Sequence, residues 1–447
     1  MDMGGWDGHS VHFSFSYVVA LLAWHSVGLA VGSVFAGAAF QQASPKAVLL
    51  LALLVDTGAL LTLGLQKHPS TAIISVLRAA SGFAASFPLL YLPLWVDEFS
   101  PSEAHGQWMA IVQVGTPLGQ LLGVLVAGTV EVVSRASEGD GGPDWRCSFL
   151  IQVLLIVPVA LRVLLIPAAQ VDAVNISSTR ARLDSMTLYL AEGSQLGHLH
   201  SVLRETREML QGVSRNPLNI ALSVALCVLH STAAVLALWA APYLALSFAA
   251  PSPYWALVLS ALTLAAAPAV GTYIGALLCD RLSGFKAGHH AVALRVACAF
   301  VTLAALAGPI SSRTASFSAR LALVAFWLIG AGAFLPISAG VLMTSMPSYL
   351  RSFSSASSLL MFHLCGFAVV PAVVAALMDC FGRAQEGLDF GVAFSLWATM
   401  PAAALLLLAY AREPKGVVSG GLSGVDDLTF SDIGYELARR RMSTAPL

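Results

Sequence analysis

Eleven apolar runs of about 20 residues, separated by short polar breaks, constrain this chain more than any other feature. Roughly 20 apolar residues in a helix cross the hydrocarbon core of a bilayer, and a helix satisfies its own backbone polar groups there. The windows fall at Tyr17 to Phe40, Ala47 to Leu65, Thr71 to Val96, Trp108 to Val133 and Phe149 to Ala169. After a polar stretch they resume at Pro217 to Phe248, Tyr254 to Leu278, Ala291 to Ile310, Leu321 to Met346, Ser354 to Met378 and Phe390 to Tyr410. The fold expected is therefore all-α and polytopic, with five helices followed by six. Charged residues make up only 11% of the chain against about 25% in ordinary soluble domains, and the mean hydropathy is +0.79. Such a composition excludes a soluble enzyme, and the absence of strand-like alternation excludes an outer-membrane barrel.

A formal net charge of −1 points to no nucleic-acid or polyanionic partner. The stretch Gln170 to Arg215 holds Arg180, Arg182, Arg204, Arg207 and Arg215, and its middle reads as an amphipathic helix. We take it as a cytoplasmic linker (170–215) between a first bundle (1–169) and a second (216–412), with a cytoplasmic tail at 413–447. On that assignment Lys46, Arg281, Lys286, Arg351, Arg412 and Lys415 also face inward, which satisfies the positive-inside rule; Asp97 to His105 is the one inner loop rich in acids, which weigh little in that rule. The six cysteines are scattered singly and read as apolar residues rather than zinc ligands or a redox pair. No basic segment precedes the first apolar run, so no cleavable signal peptide is expected.

Two bundles joined by a basic cytoplasmic loop match the plan of carriers built from repeated halves; the first helix of a twelve-helix plan is expected either to lie before Met1 or to have been lost. After the seventh window the chain reads Gly271-Thr272-Tyr273-Ile274-Gly275-Ala276-Leu277-Leu278-Cys279-Asp280-Arg281, continuing to Gly284 and Lys286. This resembles the Gly-x-x-x-Asp-Arg-x-x-Gly-Arg/Lys signature of the major facilitator superfamily. At the equivalent place in the first half, Gly37 is followed by Gln41, Gln42 and Lys46, so the acid and base are glutamines. Further fragments resemble the Spinster-like branch: Arg78, Gly82, Pro93, Asp97-Glu98 and Pro101; Pro117-Leu118-Gly119, Gly123 and Gly128; Trp145-Arg146; Asn216-Pro217 with Trp239 and Pro242; and His363, Gly366 and Pro371. That resemblance implies transport of lysolipids or sphingoid phosphates. The family's acids are absent where this chain has Ala84, Ala85 and Phe367, so its proton chemistry does not transfer directly.

Ionisable residues inside spans are costly and therefore functional candidates. Arg78 is expected to recognise an anionic headgroup through its planar fork, or else to pair structurally with Asp56. His230 and His363 are candidates for substrate or proton contact, with His25 behind them, and Trp239, Tyr243 and Trp327 for aromatic cavity walls. Gly275, Asp280, Arg281, Gly284, Lys286 and Asp97 are expected to gate. Gly330, Gly332 and Pro336 allow a bend or close packing. No Walker loop, dinucleotide turn or His-Glu-x-x-His motif occurs, so neither enzyme activity nor a cofactor is expected. The function expected is a secondary transporter of a small organic or lipid-like solute. Its partners would be that substrate, a coupling proton and the surrounding lipid, and it would act as a monomer in the plasma or an organelle membrane. The alternative is a transporter-like sensor or scaffold that no longer transports.

Overall fold

The computed structural model describes residues 15–67, 70–101, 104–136, 144–172, 214–247, 253–282, 290–344, 354, 357–381 and 383–412. The first five long helices are α1 (Phe15–Gln42), α2 (Pro45–Leu65), α3 (Thr71–Phe99), α4 (His105–Ala136) and α5 (Cys147–Leu165), followed by a single turn, α6 (Ala168–Val171). Six more follow: α7 (Pro217–Ser247), α8 (Pro253–Arg281), α9 (His290–Arg313), α10 (Phe317–Thr344), α11 (Ser357–Met378) and α12 (Ala384–Arg412). Ten of the described helices are long and apolar enough to cross a membrane, and α1 carries a further apolar stretch at Ala23–Ala36. The linker helix expected within 170–215, the tail after Arg412, Gly284 and Lys286 lie outside the described residues. Asp97 sits in the last turn of α3, not in the loop expected there, because the helix runs on to Phe99.

The breaks between helices follow from local chemistry. Ser44 accepts a hydrogen bond from Ala47 N and Pro45 opens α2, a position where proline costs no helical bond. Ser70 caps α3 through Ile73 N. Asn216 caps α7 by accepting from Leu218 N and Asn219 N at 3.0 and 3.3 Å. Hydroxyls within the spans are satisfied by backbone carbonyls: Thr272 Oγ1 donates to Pro268 O at 2.8 Å and lies 3.1 Å from Gly332 O on α10.

The two halves repeat one packing scheme. The closest helix pair in the first half, α1 with α3, corresponds to α8 with α10 in the second, and α2 with α3 and α5 to α9 with α10 and α12. The halves meet crosswise, α4 on α8 and α1 on α11. In the second half α7 packs against both α11 and α12. Among the described residues no helix holds the corresponding place beside α4 and α5, and α5 buries none of its side chains.

Small residues set the tightest crossings. A Cβ on Gly82 would overlap the carbonyl oxygen of His25, and one on Gly28 would overlap that of Ala79, so α1 and α3 touch backbone to backbone. Gly332 repeats this against Pro268 in the second half; the glycines of α10 serve close packing. A larger core fills the second half around Trp327, Phe334 and Leu294 and takes in Phe15 and Val19 of α1. A smaller one in the first half gathers Phe40, Phe87 and Tyr91.

Candidate functional site

Five ionisable groups inside the spans, Asp56, Arg78, His25, His363 and His230, are carried by α2, α3, α1, α11 and α7 in turn. Asp56 lies in the middle of α2 and accepts a hydrogen bond from Ser81 Oγ of α3 at 2.6 Å. Arg78, one turn before Ser81, is half-buried. No direct ion pair joins Arg78 to Asp56 among the described residues, and the two interact only at longer electrostatic range. Arg78 is also within electrostatic reach of His25 on α1. His25 in turn reaches His363 on α11, which also interacts with His230 on α7. A chain of five groups thus runs from the first half into the second.

The second-half end of this chain is a histidine pair walled by phenylalanines. His230 Nδ1 lies 2.7 Å from Leu226 O, which requires a proton on Nδ1 and leaves Nε2 as the acceptor in the neutral ring. Phe362 stacks beside His230 with ring centroids 4.7 Å apart, and Phe367 lies 5.5 Å from it. His363 is only 7% exposed, and neither of its ring nitrogens has a hydrogen-bond partner. Buried polar atoms are nearly always paired, so the two nitrogens of His363 stand out in this apolar setting. The backbone here is π-helical from Phe362 to Val369, a distortion concentrated at functional positions. Gly366 within it lets α7 approach, since a Cβ there would sit 3.2 Å from Cys227 O.

The aromatic candidates lie elsewhere. Trp239 is buried against Phe15 with centroids 5.0 Å apart, at the end of the bundle remote from the linker. Tyr243 lies under the Arg320 guanidinium at 5.3 Å. Together with Ser260, Thr263 and Ser311 these two line a small cavity near that end of the second half. Trp327 is fully buried in the core.

Two cross-half contacts bracket the histidine and arginine chain. At the linker side, Asp280 at the end of α8 accepts from Gly106 N and Gln107 N, each at 2.9 Å, and so caps α4 of the other half. A carboxylate at a helix N-terminus gains from both the hydrogen bonds and the helix dipole. Arg281 beside it is exposed, and Gly275 packs on Ala333 of α10. The corresponding turn of the first half has no acid and stays within its own bundle. Lys46 Nζ donates to Leu164 O and Ile166 O at 2.9 and 2.6 Å, and Asp172 accepts from Lys46 N at 3.0 Å. At the opposite side Asp379, at the end of α11, accepts from Phe15 N at 2.7 Å. Sequence reasoning missed Asp379, since a lone acid at a helix end carries no motif.

Asp280→Asn keeps the shape but removes the charge that caps α4. It is expected to shift the conformational balance by about 1.4 kcal/mol, a tenfold change in turnover, with equilibrium binding nearly unchanged. Uptake rate compared with binding affinity in the same preparation checks this, and a large loss of affinity would place Asp280 in the binding site.

Two pseudo-repeated bundles of apolar helices, with half-buried charges inside the first and contacts between the halves at both ends, have the architecture of a membrane carrier. The sequence profile of the Major Facilitator Superfamily matches residues 5–370, and the chain belongs to that superfamily. It is an integral membrane protein. It is similar to a bacterial homolog of the human lysosomal transporter Spinster in an inward-facing, unoccupied conformation (TM-score 0.60, 16% identity, 89% of this chain and 90% of that one). It is also similar to the proton:xylose symporter XylE bound to 6-bromo-6-deoxy-D-glucose (TM-score 0.63, 15% identity, 90% and 88%). YfiG of Bacillus subtilis (strain 168), whose description is that of a metabolite transport protein, is 26% identical over 183 residues, 41% of this chain and 33% of YfiG. The match thus spans about a third of that relative's length.

Proposed function

We propose that this protein is a Spinster-like secondary carrier that moves a small anionic, lipid-like solute by alternating access, with Arg78 as its anion-recognition group. The observation that carries the reading is a half-buried guanidinium inside the membrane that is not locked into an ion pair with Asp56. Such a group is expensive to hold in a bilayer, and its fork suits carboxylate or phosphate oxygens. The phenylalanines around His230 and His363 provide an apolar wall for the rest of the solute. Gating falls to Asp280 and its neighbours. The test is uptake into proteoliposomes of lysolipids, sugars and organic acids in parallel; uptake of sugars alone would remove the anion reading.

A second reading, a sensor or scaffold that does not transport, draws support from the apolar residues Ala84, Ala85 and Phe367 that stand where the resembled family has acids. Proteoliposomes that take up none of the three solute classes would favour it.

The linker after Asp172 and the tail after Arg412 face the cytosol in this proposal, on the strength of the linker's arginines. Cysteines placed at Ser194 and Ser423 are expected to resist a membrane-impermeant maleimide in intact cells and to react after permeabilisation. Labelling of both in intact cells would invert the topology.

A further inference from the structure

We infer that the outer seam between α9 and α12 holds two anionic diacyl phospholipids, one in each leaflet, each gripped at its phosphate by an arginine braced on an aromatic ring. This surface lies on the perimeter of the second half, and the inference does not rest on the anion-carrier reading above.

Between Arg295 and Arg313 the exposed positions of α9 are Ala299, Leu303, Leu306 and Ile310. Steps of three and four residues place them on one ridge of the helix, with an arginine at each end. At about 1.5 Å per residue the two arginines stand about 27 Å apart along α9, close to the roughly 30 Å of a bilayer's hydrocarbon core. The apolar ridge thus matches the depth of the acyl chains, and the arginines fall at the two levels where phosphates begin.

Each arginine is held by a residue of α12. The Arg313 guanidinium lies 4.7 Å from the centre of the Trp397 ring. Trp397 Nε1 donates to Ser312 Oγ at 3.1 Å, which fixes the indole across the seam. Arg295 Nε donates to the Tyr410 hydroxyl at 3.2 Å. Between these two clasps Gly308 keeps the helices close, since a Cβ there would sit 3.0 Å from Leu396 O. Stacking uses the face of one guanidinium and the tyrosine bond uses Nε of the other. The terminal N–H groups of both therefore remain for phosphate oxygens, in a planar fork that suits them.

The distribution of acids selects the headgroup. Among the described residues neither arginine has a carboxylate within ion-pair distance, and α9 carries no acid. On α12, Glu386 pairs with Arg383, and both Glu386 and Asp389 precede Trp397 by more than two turns. The amine of a zwitterionic headgroup meets no counter-charge at either clasp, whereas a net negative headgroup gains from each basic side chain.

The experiment uses full-length protein purified in detergent. Phosphatidylglycerol and phosphatidylcholine of matched chains are added in equal amounts, and retained lipids are counted by native mass spectrometry. The wild type is expected to retain two phosphatidylglycerols, each preferred over phosphatidylcholine by about tenfold. Arg295→Gln and Arg313→Gln are each expected to retain one and the double variant none. Arg383→Gln, which removes an exposed arginine that already has a carboxylate partner, is expected to retain both. Phosphatidylglycerol should raise the melting temperature of the wild type and leave that of the double variant unchanged. Equal retention of the two lipids by the wild type, or retention of neither, overturns the inference, as does a double variant that keeps two phosphatidylglycerols. If a variant does not fold, the wild-type competition alone decides.

Discussion

Arg78→Ala is expected to abolish transport of an anionic solute while leaving the protein folded. Arg78 sits on α3 one turn before Gly82, beside His25, with Asp56 near but not bonded to it. Among the described residues of α1, α3, α7 and α11, removing it leaves no fixed positive charge inside the membrane. A lost charge-assisted bidentate contact is worth about 3 kcal/mol or more, which is over a hundredfold in affinity. Arg78→Lys keeps the charge but presents a point instead of a planar fork, so an intermediate loss of roughly tenfold is expected. Folding is preserved in both because Arg78 is not tied into a salt bridge. Uptake and binding by the two variants, measured against thermal stability, check this. Normal transport in the double variant Arg78→Ala with Asp56→Asn would make the arginine only a structural counter-charge and end its assignment to recognition.

Gly82→Ala is expected to disrupt the first bundle far more than its single added methyl suggests. The new Cβ would overlap the carbonyl oxygen of His25, a backbone atom that no side-chain rotation can move. The α1 and α3 axes must separate, and the overlap at Gly28 and Ala79 shows that they have no slack one turn away. Overpacking of this kind costs about 1–3 kcal/mol, and backbone separation places it at the upper end. Gly119→Ala provides the contrast, since a Cβ there meets nothing within 4 Å. A clear fall in melting temperature and folded yield is expected for Gly82→Ala and none for Gly119→Ala. Equal melting temperatures for the two would mean that α1 and α3 do not touch at this crossing. Because His25 is the residue displaced, any Gly82→Ala protein that survives should also bind the anion more weakly.

Much of the molecule was legible before any coordinates. Runs such as Ala47 to Leu65 and Ala291 to Ile310 mark spans because a bilayer leaves an apolar segment of that length one stable form, a helix. The boundaries moved outward by a few residues where polar ends continue the helix, as with Asp97 in α3 and Arg281 in α8. Asp280 was legible because it stands in a spaced motif. Its partner was not: the motif says nothing of which helix end the carboxylate caps, and that end, Gly106, lies more than 170 residues away.

The sequence by itself determined that this is a helical membrane protein, and it singled out Arg78, Asp56, His230 and His363 as candidates. Those conclusions depend only on local composition, since the cost of a charge or an unpaired backbone group in lipid is paid wherever it falls along the chain. The tertiary structure alone decided that Asp56 bonds Ser81 instead of Arg78, that Trp239 packs on Phe15 away from the charged junction, and that His363 is left with two unpartnered nitrogens. Each of these depends on which faces of distant helices meet. Helix crossings in a membrane are selected by close contact of small residues such as Gly82 and Gly366, and glycines are too common in such helices for their sequence positions to reveal which ones touch.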